Sequence, residues 1–169
     1  MDIQNIPEIR TETVVFPINV GNSGAKVLLG KNNPNKVKCA DMWNGPGGGK
    51  KPGESVVACA KRELLEETDL IACVIDFEKV GEILFHFGGV PKFWVHFFLL
   101  RKWRGEEKPL AEFVELKWFP FDNIPFQQMM PGDRIFVPRL LEGEKIEKGE
   151  IFFSIDGKET SASRLKWVY

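Results

Sequence analysis

Gly48-Gly49-Lys50-Lys51-Pro52-Gly53-Glu54-Ser55-Val56-Val57-Ala58-Cys59-Ala60-Lys61-Arg62-Glu63-Leu64-Leu65-Glu66-Glu67-Thr68-Asp69-Leu70 is the stretch whose reading decides the fold. From Ser55 to Thr68 it contains neither Gly nor Pro, it carries strong helix formers in its second half, and it opens on a residue type that caps helix N-termini. This predicts a helix over Ser55–Thr68. At about 100° per residue, Glu63, Glu66 and Glu67 fall within one arc, since residues three and four apart are neighbours on a helix. Val57, Ala60 and Leu64 form the adjoining arc, which must be the buried one, so the acidic stripe borders the core and reads as the wall of a cleft. Like charges at this spacing repel, and partial burial sharpens the repulsion, so a cation is expected to neutralise them. Clustered hard oxygen ligands suit Mg²⁺ or Mn²⁺, and Mg²⁺ sites commonly complete their shell with water and substrate phosphate oxygens.

Upstream, Thr11–Val20 is rich in β-branched residues and meets the turn cluster Gly21-Asn22-Ser23-Gly24, after which Ala25–Gly30 resumes an apolar run; this predicts a hairpin. Lys31–Ala40 reads as a solvated loop, and the glycine-dense stretch begins just after Trp43. Lys31, Lys36 and Lys38 in that loop fit a solubilising role better than a phosphate contact. Downstream, strands are expected over Ile71–Phe87, broken near Asp76, over Lys92–Arg101 and over Val114–Phe119. Asp133 is expected to cap a second helix through Arg134–Leu141, stopped by Gly143. Two last strands, Glu150–Ile155 and Ser163–Val168, are joined by the turn Asp156-Gly157. The elements make a mixed α/β (α+β) chain, read as one domain over residues 1–169.

The 169 residues are 43% hydrophobic and 28% charged, the composition of an ordinary globular protein, long enough to bury a self-sufficient core. A net charge of −1, from 23 basic and 24 acidic residues, supplies no field for polynucleotide or anionic membrane. Cys39, Cys59 and Cys73 share no metal-type spacing and read as free thiols in a reducing, cytoplasmic compartment. Met1–Pro7 lacks a basic segment followed by an apolar run, and no stretch has 18 uninterrupted apolar residues, so neither export nor membrane insertion is expected.

A bare Arg-Glu-x-x-Glu-Glu also fits a solvated charged face with an Arg62–Glu66 pair. The wider pattern decides against that. Gly48, Glu54, Arg62, Glu63, Glu66 and Glu67 match Gly-x5-Glu-x7-Arg-Glu-U-x-Glu-Glu-x-Gly-U, with Leu64 and Leu70 at the apolar positions. This resembles the Nudix box, and chance would produce the six fixed positions in roughly 10⁻⁵ of chains of this length. Asp69 departs from the box glycine. That position caps the helix in a left-handed conformation, which Asp visits more readily than most residues, so a modest stability cost is expected.

The resemblance implies a mixed β-sheet sandwiched between helices, and Mg²⁺-dependent hydrolysis (Mn²⁺ as a substitute) of a nucleoside diphosphate linked to another moiety. By the same resemblance, Glu63, Glu66, Glu67 and the backbone carbonyl near Gly47 hold the metal, while Arg62 and Glu54 support the cluster. Glu112, outside the box, is the leading candidate for a base supplied from elsewhere.

A narrower resemblance is to the oxidised purine nucleoside triphosphatases of the 8-oxo-dGTP type. It rests on Trp43–Gly48, Val80–Phe87 and Phe119–Pro138. In that subgroup an asparagine matching Asn44 and an acidic pair matching Gly132 and Asp133 bond the purine, and a tryptophan matching Met130 stacks on it. Asn44 and Asp133 fit the pattern; Gly132 and Met130 depart from it. Phe85 and Phe87 alternate along a strand and either line the base pocket or pack the core. Trp94 and Trp118 read as core or rim aromatics, and His86 and His96 as structural histidines rather than zinc ligands. The implied partner is a small-molecule nucleotide, bound by a monomer or homodimer. Another Nudix substrate, such as ADP-ribose or a dinucleoside polyphosphate, and a non-catalytic nucleotide-binding module stand as alternatives.

Overall fold

In the computed structural model, residues 8–35 and 39–168 are described; Met1–Pro7, Lys36 and Lys38 lie outside them. The chain forms strands β1 (Arg10–Gly21), β2 (Gly24–Asn32), β3 (Trp43–Asn44) and β4 (Gly47–Gly49), helix α1 (Val56–Thr68), strands β5 (Phe77–Phe87), β6 (Val90–Leu100) and β7 (Phe113–Pro120), helix α2 (Asp133–Leu141), and strands β8 (Lys145–Phe153) and β9 (Thr160–Val168).

β1 is the hinge of the sheet. Its first half runs parallel to β6, Arg10 opposite Phe93 through Pro17 opposite Leu100, and also takes β4 antiparallel on its other side. Its second half turns through Gly21 and Gly24 into β2, which pairs with β7. The predicted hairpin is present, with Gly24 at φ +98° where an L side chain would be strained. Beyond β6 the order continues β5, β8, β9, with β5 and β8 parallel.

Alternation along the central strands sends side chains to two different cores, as period two requires. Phe16, Val27, Leu29, Phe97 and Leu99 meet Phe136, Val137, Leu140 and Leu141 of α2 in one. Val15, Leu28, Phe98 and Leu100 meet Ala60 and Leu64 of α1 in the other. The two helices therefore lie on opposite faces of a mixed sheet, the sandwich that the resemblance implies.

α1 begins where Ser55 predicts: its Oγ accepts from the Ala58 N–H at 3.1 Å. It ends at Asp69, whose φ of 62° is left-handed and whose N–H donates to the Leu65 carbonyl at 3.1 Å.

Several expectations are corrected. Asp133 does not cap α2: Gly132 holds the N-cap position without a side-chain bond, and Asp133 is the first helical residue, its carboxyl facing a cleft. The strand expected from Ile71 starts at Phe77, because Val74–Asp76 form a 3₁₀ turn and Ile71 makes only an isolated bridge to Arg104. β8 starts at Lys145, five residues earlier than expected, since its pairing with β5 and β9 overrides the polar Glu147 and Lys148.

Asp69→Gly should raise stability by about 1 kcal/mol, moving Tm upward by roughly 2–4 °C, because the left-handed cap then carries no Cβ. Thermal unfolding of the two proteins checks this; an unchanged or lower Tm would mean that the Asp69 cap is unstrained.

Candidate active site

Two of the three glycines of strand β4, Gly47 and Gly48, stand where their neighbours leave no room for side chains. A Cβ on Gly47 would stand 1.9 Å from the Thr13 carbonyl oxygen, and one on Gly48 2.7 Å from the Glu63 carboxylate carbon. The backbone of β4 thus lies directly against β1 and the acidic face of α1.

Arg62 ties this loop to the helix. Its Nε and Nη2 donate to the two Glu54 carboxylate oxygens at 2.8 and 2.9 Å. Nη1 donates to Glu63 at 2.6 Å and Glu66 at 3.1 Å, and Nη2 also donates to the Gly49 carbonyl at 3.1 Å. All five N–H groups of the guanidinium are thereby committed. The Arg62 guanidinium, aided by the Lys51 backbone N–H, holds the Glu54 carboxyl down at about 2.

Glu67 is buried, 4% exposed, and its Oε2 accepts from the Gly47 N–H at 2.8 Å. Burial pushes its carboxyl up to about 8, against that hydrogen bond and aided by the negative charges of Glu63, Glu112 and Glu66. Glu112 reaches this cluster because its loop is laid along the end of α1. Lys108 N–H donates to the Thr68 carbonyl at 2.9 Å and Leu110 N–H to the Glu67 carbonyl at 3.0 Å.

A cleft of about 720 Å³ runs from this cluster to a second group of predicted residues. Glu63, Glu66, Glu67, Glu112, Gly47 and Gly48 line one part of it; Asn44, Phe85, Phe87, Met130 and Asp133 line the other. Glu54 and Arg62 brace the cluster from behind. The half-buried Asp133 carboxyl is raised to about 7 by removal from water, partly opposed by a backbone hydrogen bond from Met130. Near neutral pH it is able to donate as well as accept, and Asn44 offers both functions at once.

Phe85 serves both expected ends. It lines the cleft and also packs against Phe97 and Phe136 of the core. Sequence reasoning passed over Phe93 and Phe153, which line the cleft and contact Phe87 at ring separations of 5.9 and 5.0 Å. The parallel register that sets Phe85 beside Ile151 and Phe87 beside Phe153 brings β8 there, and no local pattern encodes it.

Trp94 and Trp118 lie outside the cleft, Trp118 donating its indole N–H to Glu107 at 2.6 Å. His86 bonds Glu150 at 3.1 Å and stacks on Phe152; His96 is buried, which pushes its pKa down. A second hollow, lined by Leu84, Trp94 and Leu165 with Glu82, Lys148 and Arg164, has neither the glycine strand nor the acidic stripe.

The donor set suits a hard divalent cation, since every candidate ligand is oxygen and the like charges that raise Glu67 are what such a cation cancels. Among the described residues no three His, Cys, Asp or Glu side chains converge on one metal position. Arg62 holds Glu63 and Glu66, and the Gly47 N–H holds Glu67.

The NUDIX domain family matches residues 10–140, which span the cleft from β1 to α2. The chain belongs to the Nudix family. It is a Nudix hydrolase, a pyrophosphohydrolase that by family acts on small nucleotide substrates. The chain is 40% identical over 107 residues to an oxidized purine nucleoside triphosphate hydrolase of Mus musculus, covering 63% of this chain and 67% of that one. The corresponding Danio rerio protein is 38% identical over the same shares. A crystal structure of a MutT protein from Bacillus halodurans superposes with a TM-score of 0.76 at 21% identity, covering 94% of this chain and 98% of that one. Among the described residues, no helix of this Nudix hydrolase is long and apolar enough to cross a membrane.

Gly47→Ala should destabilise the fold by about 1–3 kcal/mol, because backbone must move, whereas Gly48→Ala should keep Tm near the parent and lower turnover by displacing Glu63. Urea unfolding with a turnover assay checks both; equal stability losses would contradict this geometry.

A carboxyl raised from 4.5 to about 8 in the folded state favours folding below pH 4.5, and that contribution is lost as the pH rises through about 8. A cation at the cluster lifts the cost of ionising Glu67, so Mg²⁺ should raise Tm more at about pH 8.5 than at about pH 5.5. An equal shift at both values would detach Glu67 from the metal.

Proposed function

We propose that this Nudix hydrolase converts an oxidised purine nucleoside triphosphate to the monophosphate and pyrophosphate with Mg²⁺, as a sanitiser of the nucleotide pool in a reducing cytosol. The observation that carries the reading is one cleft, lined both by the acidic box and by Asn44, Asp133 and phenylalanine rings. The names borne by the mouse and zebrafish relatives support it.

In this reading Glu63, Glu66, Glu67 and the Gly47 carbonyl hold the metal. A divalent cation there polarises phosphoryl oxygens and lowers the pKa of bound water. Glu54 fixes Arg62, and Arg62 fixes Glu63 and Glu66, so these carboxylates would meet the cation already oriented. Glu112, beside the box carboxylates, is the base that would accept the proton of the attacking water. Asn44 and Asp133 bond the base edge, the protonated form of Asp133 donating to a base acceptor. Phe85, Phe87 and Met130 contact the ring faces, Met130 through sulfur with less stacking surface than tryptophan.

Gly132 and Met130, which depart from the oxidised-purine pattern, favour a second reading. In it, the same metal machinery serves ADP-ribose or a dinucleoside polyphosphate, with a different use of the pocket.

Hydrolysis of 8-oxo-dGTP, dGTP, 2-oxo-dATP, ADP-ribose and a dinucleoside polyphosphate, each with and without Mg²⁺, separates the readings. The proposal expects Mg²⁺-dependent turnover with preference for an oxidised purine triphosphate. Preference for ADP-ribose or the dinucleotide would leave the metal site and remove the base assignment, and binding without turnover across the panel would mean a non-catalytic module. Glu67→Gln should lower kcat by about 10³-fold or more with its circular dichroism spectrum unchanged, an order expected when one principal electrostatic group at a transition state is lost; wild-type turnover would overturn the metal assignment.

A further inference from the structure

Carboxyl side chains crowd the cleft, yet its proposed substrate is an anion. Glu12, Glu63, Glu66, Glu67, Glu112 and Asp133 all line it. A cation at the box would neutralise part of this field, and the terminal phosphate of a triphosphate is further held by donors from the protein. Arg62 is unable to meet it, because all five of its N–H groups are already bonded to Glu54, Glu63, Glu66 and Gly49.

One cationic side chain lines the cleft among the described residues, and it is Arg10. Arg10 begins β1 and points to the same side as Glu12 and Val14, as alternation along a strand requires. Val14 stands opposite Gly47, beside the acidic cluster, and Glu12 stands opposite Gly49. Arg10 lies one step further out, about 13 Å along the strand from Val14. Its Nη2 reaches back over β4, 3.4 Å from where a Cβ of Gly49 would stand.

Among the described residues no hydrogen bond or ion pair engages this guanidinium, whereas Arg101, Arg139 and Arg164 each have a carboxylate partner. An exposed, unpaired guanidinium at the mouth of an acidic cleft is a fork suited to phosphate oxygens. Asn44 of β3, Gly47 of β4 and Gly49 with Arg10 thus follow one another along the chain and its neighbouring strand as base, metal and phosphate-tail stations.

We propose that Arg10 binds the terminal phosphate of the substrate and makes this cleft selective for nucleoside triphosphates over the corresponding diphosphates. This rests on the nucleoside triphosphate reading above and adds to it a selectivity residue outside the box.

The test compares wild type, Arg10→Ala and Arg10→Lys on the preferred purine nucleoside triphosphate and its diphosphate in Mg²⁺. In parallel, the binding of Mg²⁺-tripolyphosphate is measured by calorimetry. Arg10→Ala should raise KM for the triphosphate about tenfold or more with kcat little changed, leave kcat/KM for the diphosphate within about twofold, and weaken tripolyphosphate about tenfold. Arg10→Lys, which keeps the charge and loses the fork, should recover part of the difference. An unchanged triphosphate-to-diphosphate ratio with unchanged tripolyphosphate affinity overturns the proposal. Should wild type turn over no nucleoside triphosphate, the substrate reading fails on its own. Tripolyphosphate affinity then decides Arg10: a tenfold loss in Arg10→Ala upholds the phosphate grip, and no loss ends it.

Discussion

The Arg62 guanidinium is the constraint on which the rest of the site depends. One residue on α1 reaches Glu54 and Gly49 in the loop and Glu63 and Glu66 on its own helix, so loop and helix hold one geometry. Three of these partners are carboxylates that would otherwise repel one another. Their orientation is set by hydrogen bonds before any substrate arrives, and such pre-organisation is what makes electrostatic stabilisation effective in a reaction. Replacing the guanidinium by an ammonium would keep the charge and lose the fork that reaches four groups at once.

The same economy of space explains the glycines. β4 carries no side chain at Gly47 or Gly48 because Thr13 lies under the first and Glu63 under the second. That closeness lets the Gly47 N–H meet the buried Glu67 carboxyl. Glu67 stays in the chain despite burial among like charges because it borders a cleft where a cation can compensate it. A buried carboxylate serving the fold alone would need a permanent counter-charge. Asp133 follows a related logic at the other end, where removal from water leaves a carboxyl poised near neutrality.

Much of this was legible in the sequence because the decisive features are local. The helix, its Ser55 cap, the left-handed Asp69 end and the acidic arc all lie within one 23-residue stretch, from Gly48 to Leu70. The base-pocket residues Asn44, Phe85, Phe87, Met130 and Asp133 were reached through resemblance, and the structure brings them to one cleft with the box. What escaped the sequence is what pairing decides. β3 and β4 are two and three residues long and have no periodicity to read. Phe153 and Phe93 reach the cleft through strand register with β5, and Arg10 through the antiparallel step of β1 past β4. Asp133 looked like a helix cap because residue type alone does not say which way a first-turn carboxyl faces.

Anomalous diffraction from a crystal holding Mn²⁺ and a non-hydrolysable oxidised purine nucleoside triphosphate tests the central claim most directly. The account predicts a manganese peak bonded to Glu67 and at least one of Glu63 and Glu66, with the base against Asn44 and Asp133. Manganese away from these carboxylates would contradict it.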